Sequence, residues 1–171
     1  FATEEHTSMC AEDVDLEQEI RRPDFGSSVT FVGDSGEYFA AGSSDFPTHV
    51  HIYQRLGNGS RGPWSYLWTI SVVDDVDNEP SSGTSLVSND EGYIFVGTHG
   101  AVFVFRPDST FQSWSQVARL AAPEQSDSRF GQGISAYGKK LAVSSPYEND
   151  RGAVYIFEER DSEWTEIAVI S

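Results

Sequence analysis

The chain has 171 residues, of which 38% are hydrophobic and 13% aromatic, and it carries 27 acidic against 11 basic residues for a net charge of −16. Such a composition suits one folded domain with a core rather than a disordered chain. The charge excludes nucleic acid and anionic lipid surfaces as partners, because nothing is left over to neutralise phosphates, and no stretch approaches the roughly 20 apolar residues of a membrane span.

The first 22 residues form an acidic segment holding Glu4, Glu5, Glu12, Asp13, Asp15, Glu17 and Glu19. It starts at Phe1 without the charged and apolar regions of a signal peptide, so the expectation is a processed chain or an internal fragment. Most of it reads as a mobile tail, with Val14 to Leu16 as a candidate edge strand. Cys10 is the single cysteine, which leaves no internal disulfide and no thiolate metal cluster.

A first unit spans about 23–73. Phe25-Gly26 leads into β-prone Val29 to Val32, a turn at Gly33-Asp34-Ser35-Gly36, and a second β-prone stretch from Tyr38 to Gly42. The run Val50-His51-Ile52-Tyr53 and the segment WSYLWTI from Trp64 supply two more strands. Between them Asn58-Gly59-Ser60 is an N-glycosylation acceptor sequence in the polar loop from Gly57 to Pro63. His49 and His51 share a strand face as a metal pair would, but no third ligand accompanies them. They align with Ala101 and Ala153, and with Phe103 and Tyr155, so the reading is packing between sheets.

Asp74, Asp75, Asp77, Asn78 and Glu79 follow as an acidic linker. They are read first as a solvated connection and second as a calcium candidate, since the glycine and distal glutamate of an EF-hand loop are missing.

The second unit, about 80–121, runs from Ser82-Gly83 through Ser85 to Val87, a turn at Asn89 to Gly92, Tyr93 to Gly97, Val102-Phe103-Val104-Phe105 and WSQVARL from Trp114. The third, about 127–171, runs from Phe130-Gly131 through Gly133 to Ala136, a turn at Gly138-Lys139-Lys140, Leu141 to Ser144, Val154-Tyr155-Ile156-Phe157 and WTEIAVI from Trp164. Trp64, Trp114 and Trp164 lie 50 residues apart, and Val50, Val102 and Val154 lie 52 apart. Equal spacing marks the tryptophans as packing anchors rather than ligand platforms. Each unit thus predicts one four-stranded antiparallel sheet. The third strands at Val102 and Val154 are apolar at every position, so they belong to sheets covered on both faces.

Phe-Gly, two strands ending in small residues, and Gly-x-Val-Tyr-x-Phe together resemble the FG-GAP repeat of integrin α-chains over about residues 23–171. The closest unit has Arg129-Phe130-Gly131, Leu141 to Pro146 and Arg151 to Phe157; in the second, Ser82 replaces the phenylalanine. The resemblance implies an all-β chain of β-propeller blades, three four-stranded antiparallel ones, forming part of a larger or partner-completed propeller. Many family members bind calcium between the first two strands of a blade. Here the turns at Gly33 to Gly36, Asn89 to Gly92 and Tyr137 to Lys140 lack the oxygen ligands, so no cofactor is expected there.

No catalytic constellation is visible. The leading expectation is a non-enzymatic module for protein interaction, adhesion or scaffolding, placed outside the cell or in a secretory lumen. Its partners would be other proteins, further blades or chains of an assembly. Two alternatives stay open: a structural subunit docking through unclosed blade faces, and a propeller hydrolase or lyase acting on polysaccharide. Candidate contact segments are Ser43 to Thr48, Ser144 to Asp150 and the acidic linker.

Overall fold

The computed structural model describes residues 24–43, 48–57, 62–72, 85–121 and 129–171. β-branched and aromatic runs form strands, and glycines with positive φ, among them Gly33, Gly36, Gly92 and Gly138, turn the chain between them. Strands β1 (Ser28–Val32), β2 (Tyr38–Ser43), β3 (Thr48–Arg55) and β4 (Trp64–Val72) form a first antiparallel sheet in chain order. A second contains β5 (Ser85–Ser88), β6 (Ile94–Gly97), β7 (Ala101–Pro107) and β8 (Trp114–Ala121). The third contains β9 (Ile134–Tyr137), β10 (Lys140–Ser145), β11 (Ala153–Arg160) and β12 (Glu163–Ile170). The one helical piece among the described residues is a short 3-10 turn at Glu148–Asp150.

The three sheets share an irregularity. The pairing of third with fourth strand shifts between Ile52 and Tyr53, between Val104 and Phe105, and between Ile156 and Phe157. Leu67, Val117 and Ile167 are thereby left out of the ladder. A bulge at the same place in each sheet gives the outer edge the same extra twist, so that the sheets can stack. β1 lies beside β5 and β5 beside β9, which gathers the first strands together and leaves the fourth strands outermost. These are three propeller blades.

Alternation along each strand explains the two cores. On the second blade, Ile94, Val96, Phe103, Phe105 and Trp114 point to the first blade, where Ala40, Val50, Ile52, Ile70 and Val72 receive them. Tyr93, Phe95, Val102, Val104 and Leu120 point the other way, onto Leu141, Val143, Tyr155 and Phe157 of the third blade. The face each blade turns to its predecessor is called its front here, and the opposite face its back. The run from Val102 to Phe105 is buried on both sides, as its pattern requires. The run from Val154 to Phe157 is not: Tyr155 and Phe157 are buried, but Val154 is 36% exposed, because the back of the third blade meets no further sheet among the described residues.

The Phe-Gly pair has a physical role at the second interface. Phe130 is fully buried against Tyr155 and Phe157, which contributes about 1.5–3 kcal/mol. Its carbonyl accepts from the Gly100 N–H at 2.9 Å, and the Gly131 carbonyl accepts from Ser85 Oγ at 2.6 Å, so the pair ties the third blade to the second. Gly131 has φ +91°, and a Cβ there would stand 2.6 Å from the Ala101 carbonyl oxygen. Only glycine fits so close a crossing.

Candidate interaction surfaces

In the second and third blades the loop joining second to third strand lies at the same end of the sheet. The segment from Ser144 to Asp150 is held by its own bonds. Tyr155 donates its hydroxyl to Glu148 Oε1 at 2.5 Å, and the N–H groups of Arg151 and Gly152 donate to the Glu148 carbonyl at 3.1 and 2.8 Å. Asn149 and Asp150 both adopt positive φ, a conformation that asparagine and aspartate tolerate better than other side chains. On this fixed loop Tyr147 is 57% exposed, and the Arg129 guanidinium lies 4.8 Å over its ring. The sequence reading singled out the loop but missed this pair. The arginine sits one residue before Phe130, so its proximity to Tyr147 appears only when the second-to-third-strand loop folds over the Phe-Gly turn.

The front of the first blade is a second surface. Phe31, Phe39, Tyr53 and Tyr66 stand opposite one another across all four strands. Phe39 stacks on Tyr53 with ring centroids 4.8 Å apart and meets Trp64 edge-on at 4.8 Å. The Arg55 guanidinium lies 4.7 Å over the Trp64 ring. Phe31 is 60% and Trp64 37% exposed. The equal spacing of the tryptophans predicted equal packing, and here the structure differs. Trp114 is buried and donates Nε1–H to the Gly92 carbonyl at 3.0 Å, and Trp164 packs edge-on to Phe95, whereas Trp64 packs within its own sheet.

His51 also lies on this front, and among the described residues no other blade covers it. It is buried beneath Phe25, with ring centroids 5.7 Å apart, and Nδ1 is 2.9 Å from Thr69 Oγ1, which in turn lies 3.0 Å from the Tyr66 hydroxyl. His49 is buried beside it with its ring nearly parallel at 6.1 Å. Among the described residues no three His, Cys, Asp or Glu side chains converge as metal ligands would. Asn58, the linker residues Asp74, Asp75, Asp77, Asn78 and Glu79, the segment before Asp24, and positions 44–47 of the first contact loop lie outside the described residues.

Residues 114–157, from the fourth strand of the second blade to the third strand of the third, match the family model of the FG-GAP repeat. Over these residues the chain is similar to an FG-GAP repeat. Its match includes the Phe130-Gly131 crossing and the Val154 to Phe157 strand. No curated protein matches the chain. Among solved structures, Sqt1 of Saccharomyces cerevisiae is similar with a TM-score of 0.63 and 12% identity, over 87% of this chain and 36% of that one. A 6-phosphogluconolactonase candidate of Bacteroides fragilis NCTC 9343 is similar with a TM-score of 0.59 and 18% identity, over 82% of this chain and 37% of that one. Likeness at such identities shows the fold alone. The chain spans little more than a third of the length of either protein.

Proposed function

We propose that the chain is a protein-interaction module that scaffolds or adheres to other proteins and carries no catalytic chemistry of its own. The observation that carries this reading is the exposed Arg129–Tyr147 stack on the loop fixed by Glu148. Arginine and tyrosine are the residue types on which binding energy concentrates, and a loop already ordered loses little entropy when it docks. Stacked blades beneath it supply the rigid support from which loops act. The net charge of −16 favours basic partner surfaces at long range. The match of residues 114–157 to the FG-GAP repeat model agrees with a binding role.

The test places a photo-crosslinking side chain at Tyr147, and in a second preparation at Tyr137, which is 88% exposed at the opposite end of the third blade. Cross-linking to one protein from Tyr147, lost when Arg129 is changed to alanine and absent from Tyr137, supports the reading. Equal labelling from both ends refutes the placement. An extracellular or lumenal location belongs to the same proposal and rests on the Asn58-Gly59-Ser60 acceptor sequence. Its check is a mass shift on glycosidase treatment that Asn58→Gln abolishes.

A further inference from the structure

Three arginines among the described residues lie over aromatic rings, and strand pairing accounts for two of them. Arg55 faces Trp64 and Arg119 faces Phe103 directly across paired strands, so the ladder itself brings each pair together. Arg129 and Tyr147 belong to no ladder. One opens the Phe-Gly turn and the other stands on the loop after β10, and the guanidinium lies 4.8 Å over the ring.

The turn does not call for an arginine. In the first blade Asp24 holds the same place, with φ +68° against +49° at Arg129. The same bond closes each turn: the Ser27 N–H donates to the Asp24 carbonyl at 3.0 Å, and the Gln132 N–H to the Arg129 carbonyl at 3.1 Å. Aspartate adopts positive φ more readily than arginine. The third blade therefore carries the less favourable residue at this position, and strain of this kind gathers where a side chain is used. Beyond the Tyr147 ring, the Arg129 guanidinium has no acceptor among the described residues, whereas Arg160 is bound to Glu158 at 2.6 Å.

We propose that Arg129, held by Tyr147, receives a side-chain carboxylate of the partner protein, an aspartate or glutamate on an exposed segment. This rests on the interaction role proposed above and names the chemistry of its contact. A guanidinium stacked by one face on an aromatic ring keeps its in-plane N–H groups free, and their fork matches the two oxygens of a carboxylate. The ring sets that plane in advance, and the loop under the ring is fixed by the bond of Tyr155 to Glu148. Glu148 does not compete for the arginine, because its Oε1 accepts from Tyr155 and its Oε2 is buried. The net charge of −16 repels polyanions, so the occupant is a single carboxylate on an otherwise neutral or basic segment.

The experiment is a titration of the full chain, following the arginine Nε–H signals by NMR. The probes are the end-blocked peptide Gly-Asp-Gly, its Gly-Asn-Gly counterpart and inorganic phosphate, all at one ionic strength. Arg129→Lys assigns the signal. Gly-Asp-Gly is expected to shift the Arg129 signal, and Gly-Asn-Gly to leave it in place. Arg160, already paired, should stay unmoved. Tyr147→Phe should bind like the wild type, and Tyr147→Ala about three- to fivefold more weakly, the worth of one exposed stack. An Arg129 signal that does not move, moves equally with Gly-Asn-Gly, or moves no more than that of Arg160 overturns the proposal. Phosphate binding more tightly than Gly-Asp-Gly overturns the choice of a carboxylate. A cross-link from Tyr147 that persists while the peptide fails sinks this inference alone. Peptide binding without any cross-linked protein counts against the interaction role and leaves Arg129 as a carboxylate site.

Discussion

The hydroxyl of Tyr93, on the second blade, donates a hydrogen bond to Glu159 Oε1, on the third, at 3.1 Å. Glu159 is buried, and Lys139 Nζ approaches its other oxygen at 3.9 Å. Burial first, and the bond to Glu159 second, raise the Tyr93 pKa above its ordinary value. A raised folded-state value means stability that is complete below pH 10 and is lost as pH rises through the folded value. Tyr93→Phe removes the donor and leaves a buried carboxylate oxygen unsatisfied, which costs about 1–3 kcal/mol. Urea unfolding at neutral pH should show that loss. The alkaline fall in stability should also be shallower in the variant than in the wild type.

Gly131 and Gly26 occupy the same place in the Phe-Gly motif and should respond differently to alanine. Both have positive φ, which costs an L-residue about 1–2 kcal/mol. At Gly26 a Cβ meets nothing within 4 Å, so the backbone term is the whole effect. At Gly131 it meets the carbonyl oxygens of Ala101 at 2.6 Å and Thr98 at 2.9 Å, both in the neighbouring blade. Overlap with fixed backbone adds about 1–3 kcal/mol. Thermal unfolding should therefore rank Gly131→Ala well below Gly26→Ala, and equal midpoints would contradict the crossing geometry.

The three-sheet architecture was legible because the signals that carry it are local and repeated. Trp64, Trp114 and Trp164 set the period, and the all-apolar run from Val102 to Phe105 demanded a neighbour on each side. What could not be read depends on which sheet lies next to which. Glu158-Glu159 looks like a solvated pair, yet Glu159 is buried under Tyr93 while Glu158 holds Arg160 at the surface. Val154 to Phe157 has the pattern of a doubly covered strand, but a pattern states what a strand can bury and not what covers it. The bulge residues Leu67, Val117 and Ile167 were visible as apolar positions, but a period of two gives no sign of a residue skipped by the ladder.

The tryptophans offer a graded test of how each blade meets its predecessor. Trp114→Phe removes the donor to the Gly92 carbonyl and shrinks a buried ring among core residues, for a loss of about 1–3 kcal/mol. Trp64→Phe loses chiefly the stack of Arg55, worth about 1 kcal/mol or less at an exposed site. Guanidinium unfolding should separate the two variants, and equal losses would contradict the difference in burial of the two rings.

Asp108 governs the turn between the third and fourth strands of the second blade. Its Oδ1 accepts from the N–H groups of Thr110 at 2.8 Å and Gln112 at 3.1 Å, and its Oδ2 accepts from Ser113 Oγ at 2.8 Å. The bond from the Gln112 N–H, then those from the Ser113 and Thr110 side chains, hold the carboxyl well below its ordinary range. A lowered folded-state value means that the turn's contribution is present above the unfolded value of 3.8 and fades as acid protonates the group. Amide hydrogen exchange reads this locally. Thr110 and Gln112 should exchange faster in Asp108→Ala at neutral pH. In Asp108→Asn one carbonyl oxygen still accepts from the two N–H groups, but the amide nitrogen cannot accept from Ser113, so protection should be partly kept. The asparagine variant should also lose the acid dependence, since it has no proton to gain. Exchange in Asp108→Ala equal to wild type would mean that the backbone holds this turn without the carboxylate.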